Sequence, residues 1–138
     1  MQLIGLDHIV LRCRDTENML RFYCEALGCT VDRRVERLGL IHLRAGAALI
    51  DLVSVDGPLG RKGGAAPGTG GRNVDHFCLR VEGFDFESLQ RHFARFGIAL
   101  DKVHLNYGAE GDGPSVYVED PEGNTIELKG AAARGRSQ

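Results

Sequence analysis

Two Asp-His pairs and two acids set between branched apolar residues hold the reactive chemistry of this 138-residue chain. Asp7-His8 is matched by Asp75-His76, and Ile50-Asp51-Leu52 by Ile126-Glu127-Leu128. Neutral imidazole and carboxylate are donors that Zn²⁺, Ni²⁺, Co²⁺, Fe²⁺ and Mn²⁺ accept, whereas a cage of oxygens alone would suit Ca²⁺ or Mg²⁺. A single histidine in an apolar strand would ordinarily be a satisfied interior side chain. Two at matched positions, each followed by a matched acid, read as an inventory of metal ligands: His8, Asp51, His76 and Glu127.

The elements that must position these residues repeat as well, and internal repetition decides the architecture before any local detail. Leu6–Arg12 and Val74–Arg80 are short apolar runs of strand type, each with an arginine four residues after its histidine. Strand alternation puts His8 on one face with Leu6 and Val10, and His76 with Val74 and Cys78. Asp15 can cap a helix bearing Met19, Phe22, Tyr23, Ala26 and Leu27 at helical spacing, with Gly28 as its stop. Asp85 likewise precedes Phe86, Leu89, Phe93 and Phe96, and Gly97 ends that run. Three strand candidates follow each helix: Thr30–Arg37, Leu40–Arg44 and Ala47–Val55, then Ile98–Leu105, Ser115–Glu119 and Thr125–Lys129. The chain is therefore expected to be α+β, with residues 1–130 forming a single domain of two βαβββ modules at about 3–55 and 73–129. The second module is longer from histidine to acid, and the extra residues are expected in a polar loop, Asn106–Pro114. Asp120–Asn124 carries turn chemistry, with Pro second and Gly where positive φ is easiest, and predicts a hairpin.

Asp56–Arg72 holds seven glycines and two prolines and is read as an inter-module linker with no element of its own, or as a lid over a cleft. It contains no G-x-x-x-x-G-K-[ST], so no phosphate loop and no nucleotide cofactor are expected. Residues 131–138 read as a disordered tail. Cys13, Cys24, Cys29 and Cys78 show no C-x-x-C spacing and are expected as reduced, packed thiols. A formal charge of −2 from well-mixed acids and bases gives no electrostatic footprint for nucleic acid or an anionic membrane, which leaves small molecules as partners. Met1 leads directly into the first strand with neither a signal-peptide pattern nor a membrane-length apolar run, so the expected location is the cytoplasm.

Leu6-Asp7-His8-Ile9-Val10-Leu11, Phe22-Tyr23 with Leu27-Gly28, Asp75-His76-Phe77, and above all Val118-Glu119-Asp120-Pro121-Glu122-Gly123-Asn124-Thr125-Ile126-Glu127-Leu128 give the chain a family resemblance. From Leu3 to about Lys129 it resembles the vicinal oxygen chelate superfamily: glyoxalase I, fosfomycin-resistance thiol transferases, methylmalonyl-CoA epimerases, extradiol dioxygenases and bleomycin-binding proteins. The resemblance implies paired βαβββ modules forming an eight-stranded open cup, commonly completed across a homodimer. It also implies one divalent metal per site held by His8, Asp51, His76 and Glu127. Asp51 is one methylene shorter than the glutamate that glyoxalases commonly place there. That leaves it open as a ligand, as a partner acting through water, or as a general base beside a His8, His76, Glu127 triad.

Members of this superfamily chelate two neighbouring substrate oxygens and stabilise the oxyanion that develops beside the reacting carbon. On a glyoxalase-like reading the substrate is a hemithioacetal, the reaction passes through an enediolate, and Glu127 or Asp51 is the base. Arg12 matches an arginine that contacts the glutathione carboxylate, while Val55 stands where those enzymes carry a polar glutathione contact. Tyr107, Gly111-Asp112 and Ser115-Val116-Tyr117 resemble the segment before the last ligand of fosfomycin-type thiol transferases. The arginine-bearing stretch expected after that ligand is replaced by Lys129-Gly130 and an alanine-rich tail. Extradiol dioxygenases use the same triad on a catechol but usually in longer chains, and the bleomycin-binding branch sequesters its ligand without metal. Arg44, His42, His104, Tyr107 and Tyr117 are the candidates for lining a substrate cup, with solvated arginine and half-buried tyrosine packing as the plainer alternatives.

Overall fold

A computed structural model describes residues 1–133; the remainder of the expected tail, 134–138, lies outside the described residues. The chain divides into two compact units, 1–73 with 120–123, and 74–119 with 124–138.

The first unit contains β1 (His8–Cys13), α1 (Thr16–Arg21) continuing as a π-helical turn (Phe22–Ala26), β2 (Thr30–Val35), β3 (Leu40–Ala45) and β4 (Ala48–Ser54). Its sheet has the order β1-β4-β3-β2, with β1 and β4 parallel and the other pairs antiparallel. The second unit contains β5 (Phe77–Arg80), α2 (Phe86–Ala94), β6 (His104–Gly108), β7 (Gly111–Glu119) and β8 (Thr125–Lys129). Its sheet order, β5-β8-β7-β6, is the same arrangement again, with β5 parallel to β8. The fold is thus α+β, built from two βαβββ modules, and no helix of the described residues is long and apolar enough to cross a membrane.

Both helices begin as expected: the Asp15 carboxylate accepts from the Asn18 amide and Asp85 from the Ser88 amide, each satisfying an amide that the helix start leaves without a partner. The helical stripe of the first module is buried at Met19, Phe22, Tyr23 and Ala26, and α2 buries Phe93. The first helix is not α-helical to its end. Its last turn widens, with the Leu27 amide donating to the Phe22 carbonyl, before Gly28 takes φ +79°, a conformation that glycine adopts without side-chain strain.

Four expectations are corrected. Asp75 and His76 precede β5 rather than opening it, since pairing with β8 starts only at Phe77–Ile126. The face carrying His8 and Val10 is exposed, and Leu11 and Cys13 supply the buried face instead; Cys78 is likewise exposed rather than packed, although all four thiols are free. Asn106–Pro114 is not a loop but the β6–β7 hairpin, with Asn106 opposite Gly113. Its glycines accommodate Lys129, whose Nζ donates to the Gly111 carbonyl. A Cβ at Gly108 would stand 2.9 Å from the Lys129 side chain, and one at Gly113 would stand 2.8 Å from Nζ. The extra length of the second module lies in the α2–β6 connection, in the longer β7 and in the β7–β8 turn instead. The linker, finally, carries a 3₁₀ turn, Gly60–Gly63. It is organised by Arg12, whose guanidinium donates to the carbonyls of Gly60, Gly64 and Ala65.

The expected hairpin at 120–124 forms, with the Gly123 amide donating to the Asp120 carbonyl. Within the first unit the Tyr23 hydroxyl donates to Asp120 Oδ2 at 2.7 Å, and both residues are buried. Removing that donor takes one hydrogen bond from a buried carboxylate. Tyr23→Phe is therefore expected to cost about 1.5–3 kcal/mol, the range for a hydrogen bond to a charged group. Urea unfolding would measure it, and an unchanged midpoint would show that the bond contributes nothing net.

Candidate functional site

In the second unit the antiparallel register sets Glu127 of β8 opposite Tyr117 of β7, and parallel pairing sets Cys78 of β5 beside it. Directly paired residues share a face, so Glu127, Tyr117, Ser115, Asn106 and His104 lie on one side of this sheet. Glu127 is 6% exposed. Its Oε2 accepts from Ser115 Oγ at 2.6 Å and from Asn106 Nδ2 at 3.1 Å. Its Oε1 faces His76 Nε2 at 3.3 Å. Burial pushes the Glu127 carboxyl upward, but donation from Ser115 and Asn106 and the nearby His76 imidazole outweigh it and hold the group below the usual glutamate range. Glu127 is accordingly an ionised acceptor at neutral pH.

His76 Nδ1 lies 2.6 Å from Asp75 Oδ2. An ionised carboxylate can only accept, so Nδ1 carries a hydrogen and the neutral ring presents the Nε2 lone pair. That lone pair and the Glu127 oxygen are then two acceptors facing one another, and only a positive centre reconciles them. A proton can fill that place, and the imidazole pKa is raised, first by the hydrogen bond to Asp75 and further by Glu127, against a burial effect that lowers it. A divalent cation can fill it equally, since an imidazole anchored through its other nitrogen to a carboxylate is the form in which histidine ordinarily ligates metal.

The first unit repeats the anchoring. His8 Nδ1 lies 2.8 Å from Asp7 Oδ2, and its pKa is raised, chiefly by that bond. The acid of each Asp-His pair thus orients its histidine and leaves Nε2 available. Asp51, 4% exposed, sits opposite His42 and beside Val10. Its Oδ1 lies 2.8 Å from His42 Nδ1. No group of three or more His, Cys, Asp or Glu side chains is assembled for a metal among the described residues. The donor types, neutral imidazole and ionised carboxylate, are nevertheless those that a divalent transition metal accepts.

The substrate-lining candidates separate. Tyr117 and His104 stay near Glu127: the Tyr117 ring meets His76 and His104 edge to face, at centroid distances of 6.0 and 5.3 Å, and its Oη accepts from Asn106 Nδ2 at 2.8 Å. Tyr107, 83% exposed, is on the opposite face of β6, one residue out of phase with Asn106. Arg12 is committed to the linker carbonyls, and Arg44 to Asp32 at 3.2 Å. Ser115 and Asn106 were not singled out as partners of Glu127 by the sequence. Ser115 is recoverable from strand alternation with Tyr117, but Asn106 falls in the stretch that composition reads as a loop.

The model of the Glyoxalase/Bleomycin resistance protein/Dioxygenase superfamily matches residues 5–128. Among solved structures, an integron cassette protein from the mobile metagenome of V. cholerae is 25% identical with a TM-score of 0.72, covering 94% of this chain and 97% of that one. Lactoylglutathione lyase from Agrobacterium tumefaciens is 19% identical with a TM-score of 0.64, covering 95% of this chain and 96% of that one. The fosfomycin resistance protein FosX from Mesorhizobium loti is 16% identical with a TM-score of 0.66, covering 98% of each chain. No curated protein is similar enough to count as a match.

Proposed function

The chain belongs to the Glyoxalase/Bleomycin resistance protein/Dioxygenase superfamily, and on that premise we propose that it is a divalent-metal-dependent lyase or isomerase of the glyoxalase I type. Its substrate would be a small molecule with two neighbouring oxygens, a hemithioacetal in the first instance. The observation that carries this reading is the pairing of His76 Nε2 with Glu127 Oε1, 3.3 Å apart with the far side of each group already engaged. Members of this family commonly use such a metal, and His8, His76 and Glu127 are the residues we propose to hold it as Zn, Ni, Co, Mn or Fe. Once bound, the cation would supply Lewis-acid stabilisation of charge developing on a substrate oxygen.

The remaining chemistry belongs to the chain. Glu127, held ionised and below the ordinary glutamate range, is better suited to ligation than to taking up a proton. Asp51 is therefore assigned the proton transfer next to the carbonyl, with His42 orienting its carboxylate through Nδ1. Tyr117 and His104 would border the substrate. Arg12 is assigned to the linker rather than to a substrate carboxylate, because its guanidinium already serves three carbonyls. The protein is proposed to act in the cytoplasm as a homodimer.

The test is elemental analysis by inductively coupled plasma mass spectrometry on gently purified protein, comparing wild type with His8→Ala. About one transition metal per chain in the wild type, lost in the variant, supports an open three-ligand site of the catalytic kind. Metal absent after reconstitution would sink the enzyme reading in favour of a metal-free binding protein.

A further inference from the structure

A carboxylate offers two oxygens with about four lone-pair positions, and the terminal torsion of glutamate is soft and roughly two-fold. Left alone, Glu127 could present either oxygen or both. The second sheet removes that freedom. Ser115, fully buried on β7, donates Oγ–H to Oε2 at 2.6 Å, and Asn106 of β6 donates to the same oxygen at 3.1 Å. Asn106 is itself fixed, because its Nδ2 also donates to Tyr117 Oη at 2.8 Å. Both amide hydrogens are then used, and the plane of the carboxamide is set by two acceptors on different strands. Opposite Asn106 stands Gly113, which puts no side chain in its way. Ser115 and Asn106 both donate to Oε2, which makes the arrangement asymmetric, and Oε1 is the oxygen 3.3 Å from His76 Nε2.

We propose that Asn106 and Ser115 are positioning residues that saturate Oε2 of Glu127 and so present the single oxygen Oε1, beside His76 Nε2, as the donor to a bound cation. This rests on the metal-site reading above but assigns two residues that the reading itself leaves without a role. It predicts one-oxygen ligation by Glu127, since Oε2 can join the ligation only by giving up a hydrogen bond to Ser115 or Asn106. Partners of this kind typically set metal affinity by 10–100-fold.

Two measurements decide it. In metal-free protein, the Asn106 carboxamide signals of a ¹H–¹⁵N spectrum are expected to move in Glu127→Gln, where a neutral amide replaces the anionic acceptor; unmoved signals overturn the proposal whatever the metal does. In Zn²⁺ or Co²⁺ titrations, Ser115→Ala and Asn106→Ala are each expected to lose about 10–100-fold in affinity, with the Co²⁺ absorption bands shifted and Ser115→Thr restoring both. Unchanged affinity and spectrum in two variants that still unfold cooperatively would reduce Ser115 and Asn106 to a structural network. Should wild type bind no metal, the enzyme reading fails by itself, and the carboxamide comparison alone settles whether these residues fix the carboxylate.

Discussion

His76→Ala is expected to give a folded protein that no longer retains a divalent metal through dialysis. The ring is exposed and lies just before β5, so the substitution removes no core packing, and surface changes of this kind ordinarily stay within about 0.5 kcal/mol. Glu127 meanwhile keeps both donors to Oε2. The loss therefore falls on the cation. Removing an outer partner of a ligand typically costs 10–100-fold in affinity, and removing the ligand itself should exceed that range. Metal content after dialysis, read beside a thermal unfolding curve, separates the two effects. If the variant holds as much metal as wild type, the matched histidines are not a metal site, and the 3.3 Å approach of His76 to Glu127 is an ion pair closed by a proton.

The repeat was legible because both of its signals are local. Short apolar runs and Asp caps at Asp15 and Asp85 depend on neighbours along the chain, and two copies of one pattern constrain each other, so the strand order recurs unit for unit. The errors lie where a distant residue overrides local composition. Asn106–Pro114 looks like a loop because it is polar and rich in glycine, yet those glycines make room for Lys129, a residue the local window does not contain. Val74–His76 looks like strand, but a strand needs a partner, and pairing with β8 starts only at Phe77. The same blindness hid the partners of the candidate ligands. His8, Asp51, His76 and Glu127 are visible as types in matched places, and His42 as a lining candidate, whereas the pairing of His42 with Asp51 and of Asn106 and Ser115 with Glu127 is set by cross-strand register. Arg12 shows the converse: the family resemblance implies a substrate contact, and a segment some fifty residues away takes up its guanidinium.

Asp51→Asn is expected to keep the metal and lose turnover. The carboxylate is 4% exposed, and its Oδ1 is 2.8 Å from His42 Nδ1. Asparagine has the same shape and still offers an oxygen to that nitrogen, so the β3–β4 pairing and the buried contact can survive. What asparagine lacks is the ability to accept a proton at neutral pH. Proton transfer by a positioned side chain contributes about 10²–10⁴-fold, and that is the expected fall in kcat/KM for isomerisation of a hemithioacetal. His42→Ala should reproduce part of the fall by releasing the carboxylate from its orientation, again with metal retained. The assignment turns on the metal content of Asp51→Asn: if the metal goes with the carboxylate, Asp51 is a ligand despite its short reach, and the proton must be moved by another group. Metal and turnover both intact would remove Asp51 from the chemistry and leave it as the buried partner of His42.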